Sequence, residues 1–588
     1  MYEFCNDMSA RNRRWEIRQA PGGAAGEVRL GDGTVVPPEL VEIAARRGVA
    51  DAASYFEPTL RAAMPDPSSL PRMDEASSRF ARAVRDGEKV AIFGDYDVDG
   101  ATSVALLTRF LRQAGIRDSM FHIPQRLTEG YGPNIPAITG LRERGAGLLV
   151  IADSGTTAFE AISHAVSIGF DVIVLDHHEP KDDGALPSAI VVNPKCGEDV
   201  SGLTYLCSAG LVMLFLVAVN RQLRQEGFFA ARGIGEPRLL DMMGLVALGT
   251  VADMVPLEGL NRAYVKNGLR ALPQIVGIQA LMDAADNQEC SARSCGFVLG
   301  PCINAGGRIS DTMQGARLLI SDDVGEAKEI AGHLFDLNRE RQQMQKDMVA
   351  DCLNRVSGEG SGDLVIVVYD QEWHPGVVGL GASKVKDFFD RSAVVIGRDG
   401  KGSGRSVEGF NIGKAFIKAQ EAGLLKKGGG HAAAGGLTVA PDRIAGFRAF
   451  INGEAKDFRR PPTKVDMAVP VGLLPRHVVE AFDLMAPFGM GNPRPRIALT
   501  GGVLADVRVL KGAHVKARLL GAGGEADLIL FNGVGTALGG ALQGAEGRFA
   551  DVLGEIGLNS YGGVTKIQIK PEDAMIGAPA SALAEAAH

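Results

Sequence analysis

Short, almost continuously apolar segments alternate with segments of helical periodicity through much of the first half of the chain. The predicted strands are residues 89–93, 120–123, 148–152, 171–175 and 189–192, and the predicted helices are 102–113, 157–168 and 205–223. Strands that are apolar on both faces must be covered on both sides, so this alternation predicts a parallel sheet between two helical layers, an α/β fold. Ligands bind such folds beyond the carboxyl ends of the strands.

Carboxylate and imidazole side chains follow these apolar segments directly. They are Asp95, Asp97, Asp99, Asp153, Asp176, His177, His178 and Asp253, the last of which follows the apolar run LVALGTVA. The carboxyl ends of parallel strands meet at one edge of a sheet, so we expect these side chains to form one shared site there.

The run GDYDVDG carries three of these acids at alternate positions. If the strand continues through them, Asp95, Asp97 and Asp99 point the same way, because side chains alternate faces along a strand. Three neighbouring like charges repel one another, which favours either raised pKa values or a bound cation. Taken alone, the run also resembles a calcium loop or an acidic surface loop.

The mixture of imidazole and carboxylate narrows the choice of cation. It suits manganese, iron or zinc, whereas calcium does not select imidazole and magnesium rarely does. The candidate ligands are too numerous for a single ion. Two ions about 3.5–4 Å apart, bridged by a carboxylate and a water, would use them all, as in phosphatases and nucleases.

The segments GDYDVDGATS, ADSG, LDHHEP and ALGTVADMVPL resemble the successive motifs of the DHH phosphoesterase superfamily. Their order and spacing are similar to those of the RecJ family of single-strand-specific exonucleases. Five later segments strengthen that resemblance, namely NAGGR, EWHPGVVGLGASKV, KGSGRS, GGGHAAAGG and PFGMGNPRPR. Together the motifs extend over most of residues 88–500.

The resemblance implies a site for two Mn²⁺ ions, with Mg²⁺ as the alternative. Asp97 and Asp153 match ligands of one ion. The other ion has four matching ligands, Asp99, Asp153, His177 and Asp253. Because Asp153 matches a ligand of both ions, it is the implied bridge. Asp95 either completes the coordination of the first ion or supports it from outside.

The resemblance also implies roles in catalysis and substrate binding. His178 faces the scissile phosphate, Asp176 orients the histidine pair, and Arg308 binds phosphate. The implied substrate-binding residues are Arg126 and Tyr131 near the 5′ end, Asn304, Ser403, Arg405 and His431. The chain departs from the family pattern at Ser154, where asparagine is common, and at Cys302 and Gly306, where arginine and alanine are common.

The sequence divides into several predicted regions. An N-terminal region spans residues 1–75 and a parallel-sheet DHH catalytic domain spans 76–324. A connecting helix, 325–356, leads to a second α/β domain, 357–460, in which two glycine-rich segments could present backbone amides to phosphate. Five β patterns within 461–575 predict a small barrel, which the resemblance identifies as an OB-fold, and 576–588 is predicted to be a disordered tail.

Composition excludes several classes of protein. The net charge of −8 argues against a uniformly basic nucleic-acid coat, although a local basic groove remains compatible with it. The seven cysteines are scattered and form no CxxC pair, which is typical of reduced thiols in a cytoplasmic protein. The N-terminus carries no apolar signal segment, and the apolar run 203–219 is interpreted as a buried helix and not a membrane span.

These features predict a cytoplasmic, monomeric 5′→3′ exonuclease that releases mononucleotides from single-stranded DNA in repair and recombination. The resemblance implies a single-strand-binding protein and a RecQ-type helicase as partners. One alternative is a DHH phosphodiesterase of short oligonucleotides or cyclic dinucleotides, but the N-terminal region and the terminal barrel favour a polymer substrate. A catalytically silent scaffold is the other, and it should lack metal ligands that this chain retains.

Overall fold

The structure is a computed structural model that describes residues 4–6, 8–20, 26–125, 128–181, 184–197, 199–359, 362–561 and 563–579. The α-helices are α1 Pro38–Arg46, α2 Ala52–Phe56, α3 Leu60–Ala63, α4 Met73–Asp86, α5 Val98–Gln113, α6 Ile135–Glu143, α7 Phe159–Ser167, α8 Ser208–Gln225, α9 Phe228–Arg232, α10 Met243–Ala252, α11 Gly259–Ala271, α12 Val276–Ala284, α13 Ala292–Ser294, α14 Gly300–Ile309, α15 Met313–Ile320, α16 Val324–Glu359, α17 Val378–Phe389, α18 Ile412–Glu421, α19 Ile444–Glu454, α20 Arg476–Glu480 and α21 Ala537–Gln543.

The strands are β1 Trp15–Ile17, β2 Val90–Phe93, β3 Met120–His122, β4 Leu148–Ala152, β5 Asp171–Leu175, β6 Ile190–Val192, β7 Val365–Tyr369, β8 Ser392–Ile396, β9 Lys401–Arg405, β10 Lys427–Gly430, β11 Ala434–Thr438, β12 Thr463–Val465, β13 Met467–Pro470, β14 Arg496–Leu510, β15 His514–Gly521, β16 Gly524–Leu530, β17 Arg548–Tyr561 and β18 Val564–Pro579.

The chain forms two compact units. One contains Ser54–Arg341 and Ala486–Pro493, and the other contains the residues up to Ala53, Gln342–Met485 and the residues from Arg494 onward. The long helix α16 contributes its first half to one unit and its second half to the other. The predicted connecting helix is therefore confirmed as an element.

The first unit is built around a five-stranded sheet of order β3-β2-β4-β5-β6 in which every pairing is parallel. The predicted strands and their parallel arrangement are confirmed. Side chains alternate between the two faces: Ile92, Val150 and Ile173 join the core beneath α4, α5 and α8, while Phe93 and Ile151 join the core beneath α6 and α7. The sheet is thus covered on both sides.

The strand order reverses beside β2. The chain passes from β2 to β3 on one side and then returns to β4, β5 and β6 on the other side. A crevice opens at such a reversal, at the carboxyl ends of β2 and β4, and it is the usual ligand position in open α/β sheets.

The apolar run 203–219 is confirmed as part of a buried core helix, α8, whose residues Leu211–Leu216 are almost fully buried. Among the described residues, no helix combines the length and the apolar character that crossing a membrane requires.

The second unit contains a five-stranded mixed sheet of order β10-β11-β9-β8-β7, in which only the β7–β8 pairing is parallel. No strand was predicted for the glycine-rich segments GKGSGRS and GGGHAAAGG, but they form strand β9 and the hairpin β10–β11. Glycine has low strand propensity, so its local pattern concealed these strands, which tertiary pairing stabilises.

The same unit contains a closed barrel. Its strands pair in the order β14-β15-β16-β18-β17, and β14 also pairs with β17. The predicted barrel is confirmed, with α21 as an unpredicted insertion. The predicted disordered tail 576–588 is wrong at its start, because β18 continues to Pro579 and pairs with β17; the rest of that tail lies outside the described residues.

Candidate metal centre and substrate contacts

The three acids of GDYDVDG converge, but not by alternation along a strand. Strand β2 ends at Phe93, and Asp97 is the N-cap of α5, where its Oδ1 accepts hydrogen bonds from the backbone N–H groups of Asp99 and Gly100. Asp95 and Asp97 therefore lie in a loop and Asp99 lies in the first turn of the helix. A side chain at Gly100 would overlap the Asp95 carbonyl, which explains the glycine at this tight turn.

Asp99 joins this loop to helix α8. Its Oδ2 accepts a hydrogen bond of 2.7 Å from the backbone N–H of Ser208, and its Oδ1 accepts one of 2.9 Å from Ala209. These N–H groups belong to the first turn of α8, where backbone donors lack partners within the helix. A negative charge is favourable at that end of the helix dipole, so Asp99 is held in place by the fold itself.

Asp153 follows β4 in a left-handed backbone conformation, with φ +63°. Such a conformation is uncommon for residues other than glycine, and asparagine and aspartate tolerate it best. It directs the carboxylate back into the crevice between β2 and β4. Strain of this kind tends to occur at functional sites.

The candidate ligands form three overlapping groups, in each of which ligand atoms lie within 4.8 Å of one another. The groups are Asp95, Asp97 and Asp153; Asp99, His177 and Asp253; and Asp153, His177 and His178. Nε2 of His177 lies 3.3 Å from Asp153 Oδ1, 3.7 Å from Asp253 Oδ2 and 3.8 Å from Asp99 Oδ2. The structure thus brings these side chains together.

Asp253 reaches the cluster by a different route from the one expected. It is the C-cap of α10 and follows no strand. Gly249, one turn earlier, has room for no side chain: an added Cβ would lie 2.6 Å from Thr102 Oγ1 and 2.9 Å from Asp99 Oδ1. The glycine of ALGTVAD therefore allows α10 to approach Asp99.

The electrostatics of the cluster favour a cation. Burial, followed by repulsion from Asp99 and Asp97, raises the pKa of Asp253 to about 9. Burial and repulsion from neighbouring carboxylates also raise the pKa of Asp153 well above its ordinary value. Burial lowers the pKa of His177, which keeps its imidazole neutral and able to ligate a metal.

Two buried atoms of the cluster provide a test of whether it suits a metal. Nε2 of His177 and Oδ2 of Asp253 make no hydrogen bond within the described residues. Buried polar atoms without hydrogen bonds are costly, and a coordinated cation would satisfy both. The donor set of several carboxylates and one imidazole fits Mn²⁺.

Asp176 orients the histidine pair through hydrogen bonds. Its Oδ1 accepts hydrogen bonds from the backbone N–H groups of His177 and His178 and lies 2.7 Å from Nδ1 of the His178 ring. Burial alone would raise the pKa of Asp176, but the His178 ring and Thr156 lower it. For His178, burial lowers the pKa, but the hydrogen bond to Asp176 and the negative charges of Asp176, Asp95 and Asp97 together raise it.

Asn193 is a supporting residue that the sequence analysis missed. Its Nδ2 donates to the His178 carbonyl and to Thr156 Oγ1, each at 2.9 Å. It follows β6 directly, so the rule that identified Asp153 and Asp176 at strand ends would have identified Asn193 as well.

Of the other predicted substrate contacts of this unit, Tyr131 lies beside the acidic cluster. The exposed Tyr131 donates a long hydrogen bond of 3.4 Å to the Asp153 carbonyl, and its hydroxyl lies 3.2 Å from His178 Nε2. Asn304 and Arg308 are one helical turn apart on α14. Arg126 lies outside the described residues.

Cys302 is one of the two positions in α14 at which the sequence was expected to depart from the family pattern. Its side chain is buried, and its sulfur accepts a hydrogen bond of 3.4 Å from Asn338, which in turn accepts one from Arg341 Nε. The thiol therefore serves packing. Gly306 is also buried, and an added Cβ would lie 2.7 Å from the Asp311 carbonyl.

Ser403, Arg405 and His431 lie in the second unit. Nη1 of Arg405 donates to Ser403 Oγ at 2.8 Å, and both side chains lie beside Gly379 in the first turn of α17. A hydroxyl, a guanidinium and a helix N-terminus together suit a phosphate group. His431 is exposed in the turn between β10 and β11, and Ala434, three residues later, pairs with Arg405 on β9.

Three segments of the chain match models of known protein families. The DHH family N-terminal domain matches residues 89–250, the DHHA1 domain matches 362–457, and the RecJ OB domain matches 465–573. These ranges contain the parallel sheet, the mixed sheet and the barrel strands up to Asp573.

Whole-chain comparisons agree. The chain is 32% identical to the single-stranded-DNA-specific exonuclease RecJ of Bacillus subtilis, over 97% of this chain and 72% of that protein. It is 34% identical to the Escherichia coli RecJ, over 86% and 90% of the two chains. The RecJ of Thermus thermophilus has been solved with Mn²⁺ (TM-score 0.75, 28% identity, 92% and 76% coverage) and with Mg²⁺ (TM-score 0.69, 27% identity, 92% and 74% coverage). This chain therefore belongs to the RecJ family of single-stranded-DNA-specific exonucleases.

Proposed function

We propose that this chain is a metal-dependent exonuclease that hydrolyses single-stranded DNA from its 5′ end and releases mononucleotides, in DNA repair and recombination. The observation that carries the proposal is the cluster of aspartates and His177 at the strand-order reversal, with buried atoms oriented for coordination. Its donor set fits two Mn²⁺ ions, with Mg²⁺ as the alternative.

Divalent cations held there would supply the positive charge that activates water and neutralises the leaving oxygen. Of the residues, Asp97 and Asp153 hold one side of the centre, with Asp95 beside them. Asp99, His177 and Asp253 hold the other side, and Asp153 lies between the two groups.

Residues outside the ligand set act on the phosphate. His178, which is raised in pKa and oriented by Asp176, faces the open side of the cluster and donates a hydrogen bond to the developing phosphate charge. Arg308 supplies a second positive group in this unit. The Ser403–Arg405 pair, which lies beside the start of α17, binds a phosphate of the strand. We also assign Tyr131, Asn304 and His431 to contacts with the substrate.

We also propose a cellular location, an oligomeric state and protein partners for this chain. We infer a cytoplasmic monomer that acts with a single-strand-binding protein and a RecQ-type helicase, since these supply single-stranded ends for such an enzyme. Sedimentation equilibrium tests the monomer, and co-purification with each partner from the native cell tests the association.

An assay with end-labelled strands tests the activity. We expect a 5′-labelled single strand incubated with Mn²⁺ to release labelled mononucleotide at once, a 3′-labelled strand to shorten progressively, and a blunt duplex to resist. His177→Ala should abolish all release because it removes a ligand, whereas His333→Ala should not, since His333 is exposed on α16. Degradation from the 3′ end, or digestion by His177→Ala at the wild-type rate, would contradict the proposal.

A further inference from the structure

The helix that carries Arg308 is the last part of a longer helical segment. Helix α13, a π-helix at Cys295–Leu299 and α14 follow one another without a break from Ala292 to Ile309. Five of the accessible positions along it recur every three or four residues, which places them on one side of the helix. They are Arg293 and Phe297, which are exposed, and Pro301, Asn304 and Arg308, which are half-buried, and we call them the α14 stripe. The half-buried Gly296, Val298 and Ile309 lie outside this stripe.

The helical segment that carries the stripe packs against the metal centre. An added Cβ on Gly307, next to Arg308, would lie 3.0 Å from the Tyr96 carbonyl in the GDYDVDG loop. On the opposite side of the helix, Gly296 and Gly300 pack against Val251 and Ala252, which immediately precede Asp253. The helix is therefore fixed against two of the segments that supply metal ligands.

Phe297 is unusual among the aromatic residues of the described chain. Its side chain is 74% exposed, although a phenyl ring on a surface loses the favourable free energy of burial. The Arg293 guanidinium lies 5.5 Å from the ring centroid, a cation–π contact that restrains the ring without covering it. The ring also lies within the π-helix, and π-bulges occur frequently at functional sites.

We propose that the α14 stripe carries the single strand beyond the scissile phosphate, and that Phe297 is a positioning residue on which a base of that strand stacks. This inference rests on the proposed exonuclease function and assigns the path of its substrate. The chemistry of the stripe suits a single strand, because positive groups at its two ends can contact phosphates and an exposed ring can stack on a base. Stacking tolerates any base, as a nuclease without sequence preference requires.

The length of the stripe sets the expected substrate length. Phe297 precedes Arg308 by eleven residues, or about 16 Å at about 1.5 Å per residue. Stacked nucleotides are spaced about 3.4 Å apart, so the ring would meet a base roughly five nucleotides from the phosphate at Arg308. Strands shorter than this cannot use Phe297.

Kinetics on oligo(dT) strands of 2 to 12 nucleotides test the inference. For the wild type, we expect KM to fall once the strand exceeds about five nucleotides. Phe297→Ala should raise KM for the 12-mer roughly tenfold, toward the value for a trinucleotide, because stacking on an aromatic ring is lost. Phe297→Trp should restore the low KM, while Phe297→Leu should not.

The matched control is Leu240→Ala, which removes another exposed apolar side chain at the far end of α10 from Asp253. It should leave the length dependence intact. Anisotropy of labelled oligo(dT)12 in EDTA gives a second readout that does not depend on turnover, and Phe297→Ala should weaken this binding roughly tenfold.

Two outcomes would separate the inference from the proposed function. Wild-type protein that digests long strands, together with Phe297→Ala that shows the same length dependence and the same binding, would overturn the role of the stripe alone. Wild-type protein that digests no strand of any length would overturn the exonuclease proposal, and the anisotropy measurement would still decide whether Phe297 contacts single-stranded DNA.

Discussion

Asp153→Asn should lower exonuclease activity in Mn²⁺ at least about a thousandfold, since it removes the carboxylate shared by both halves of the cluster and metals supply several kcal/mol of charge stabilisation. Asparagine is the appropriate replacement because it tolerates the left-handed backbone at this position, with φ +63°. Alanine would add backbone strain to the loss of the ligand. Initial rates on a 5′-labelled single strand measure the effect.

Asp153→Asn should raise the thermal stability of the metal-free protein and reduce the stabilisation that Mn²⁺ provides. Without metal, it removes one of several mutually repelling buried carboxylates, so its melting temperature should rise by about 2–4 °C, equivalent to about 1 kcal/mol for a domain of this size. With Mn²⁺, the wild type should gain about 2.7 kcal/mol at a hundred times Kd, and the variant should lose most of that gain. Differential scanning calorimetry with and without Mn²⁺ measures both.

Asp283→Asn provides the matched control, because Asp283 is an exposed carboxylate on α12 in the same unit. It should retain both activity and the stabilisation by Mn²⁺. An Asp153→Asn protein that kept its full Mn²⁺ stabilisation would show that Asp153 is not a metal ligand.

Asp99→Ala should destabilise the metal-free protein by about 2–4 kcal/mol, in contrast to Asp153→Asn. Asp99 accepts hydrogen bonds from the N–H groups of Ser208 and Ala209, and its loss leaves two buried donors at the start of α8 without an acceptor. This cost exceeds the relief of charge repulsion. Activity should be lost as well, because Asp99 belongs to the ligand group of His177 and Asp253. Chemical denaturation in EDTA measures the change.

Asp99→Asn is the comparison that isolates the capping role. Its amide oxygen keeps one acceptor for α8, so its loss of stability should be smaller than that of Asp99→Ala. Equal stabilisation of the metal-free protein by Asp99→Ala and Asp153→Asn would mean that Asp99 contributes only charge and does not hold α8.

The central sheet could be predicted because its strands have clear local patterns. Segments 148–152 and 171–175 are apolar almost throughout and each is followed by an aspartate, and β4 and β5 have those limits. Strands β9 to β11 could not be predicted in this way, because glycine supplies no side-chain pattern. Strand β1 pairs with β12 almost 450 positions later, and no local feature of Trp15–Ile17 indicates that partner.

The residues of the metal centre were predictable in identity but not in geometry. Strand-end position identified Asp153, Asp176 and His177, and the resemblance assigned their roles, which the proposed variants test. The run GDYDVDG was expected to continue the strand, yet Asp97 caps a helix instead, because its carboxylate competes for the backbone N–H groups that follow it. The capping of α8 by Asp99 joins residues more than a hundred positions apart, and sequence pattern does not reveal such contacts.

The number and spacing of bound Mn²⁺ ions can be measured on the full chain by isothermal titration combined with electron paramagnetic resonance. The geometry of the cluster predicts two ions per chain that are exchange-coupled, at the separation of about 3.5–4 Å typical of two-metal sites. A single bound ion, or two ions that are magnetically independent, would contradict a shared centre bridged by Asp153.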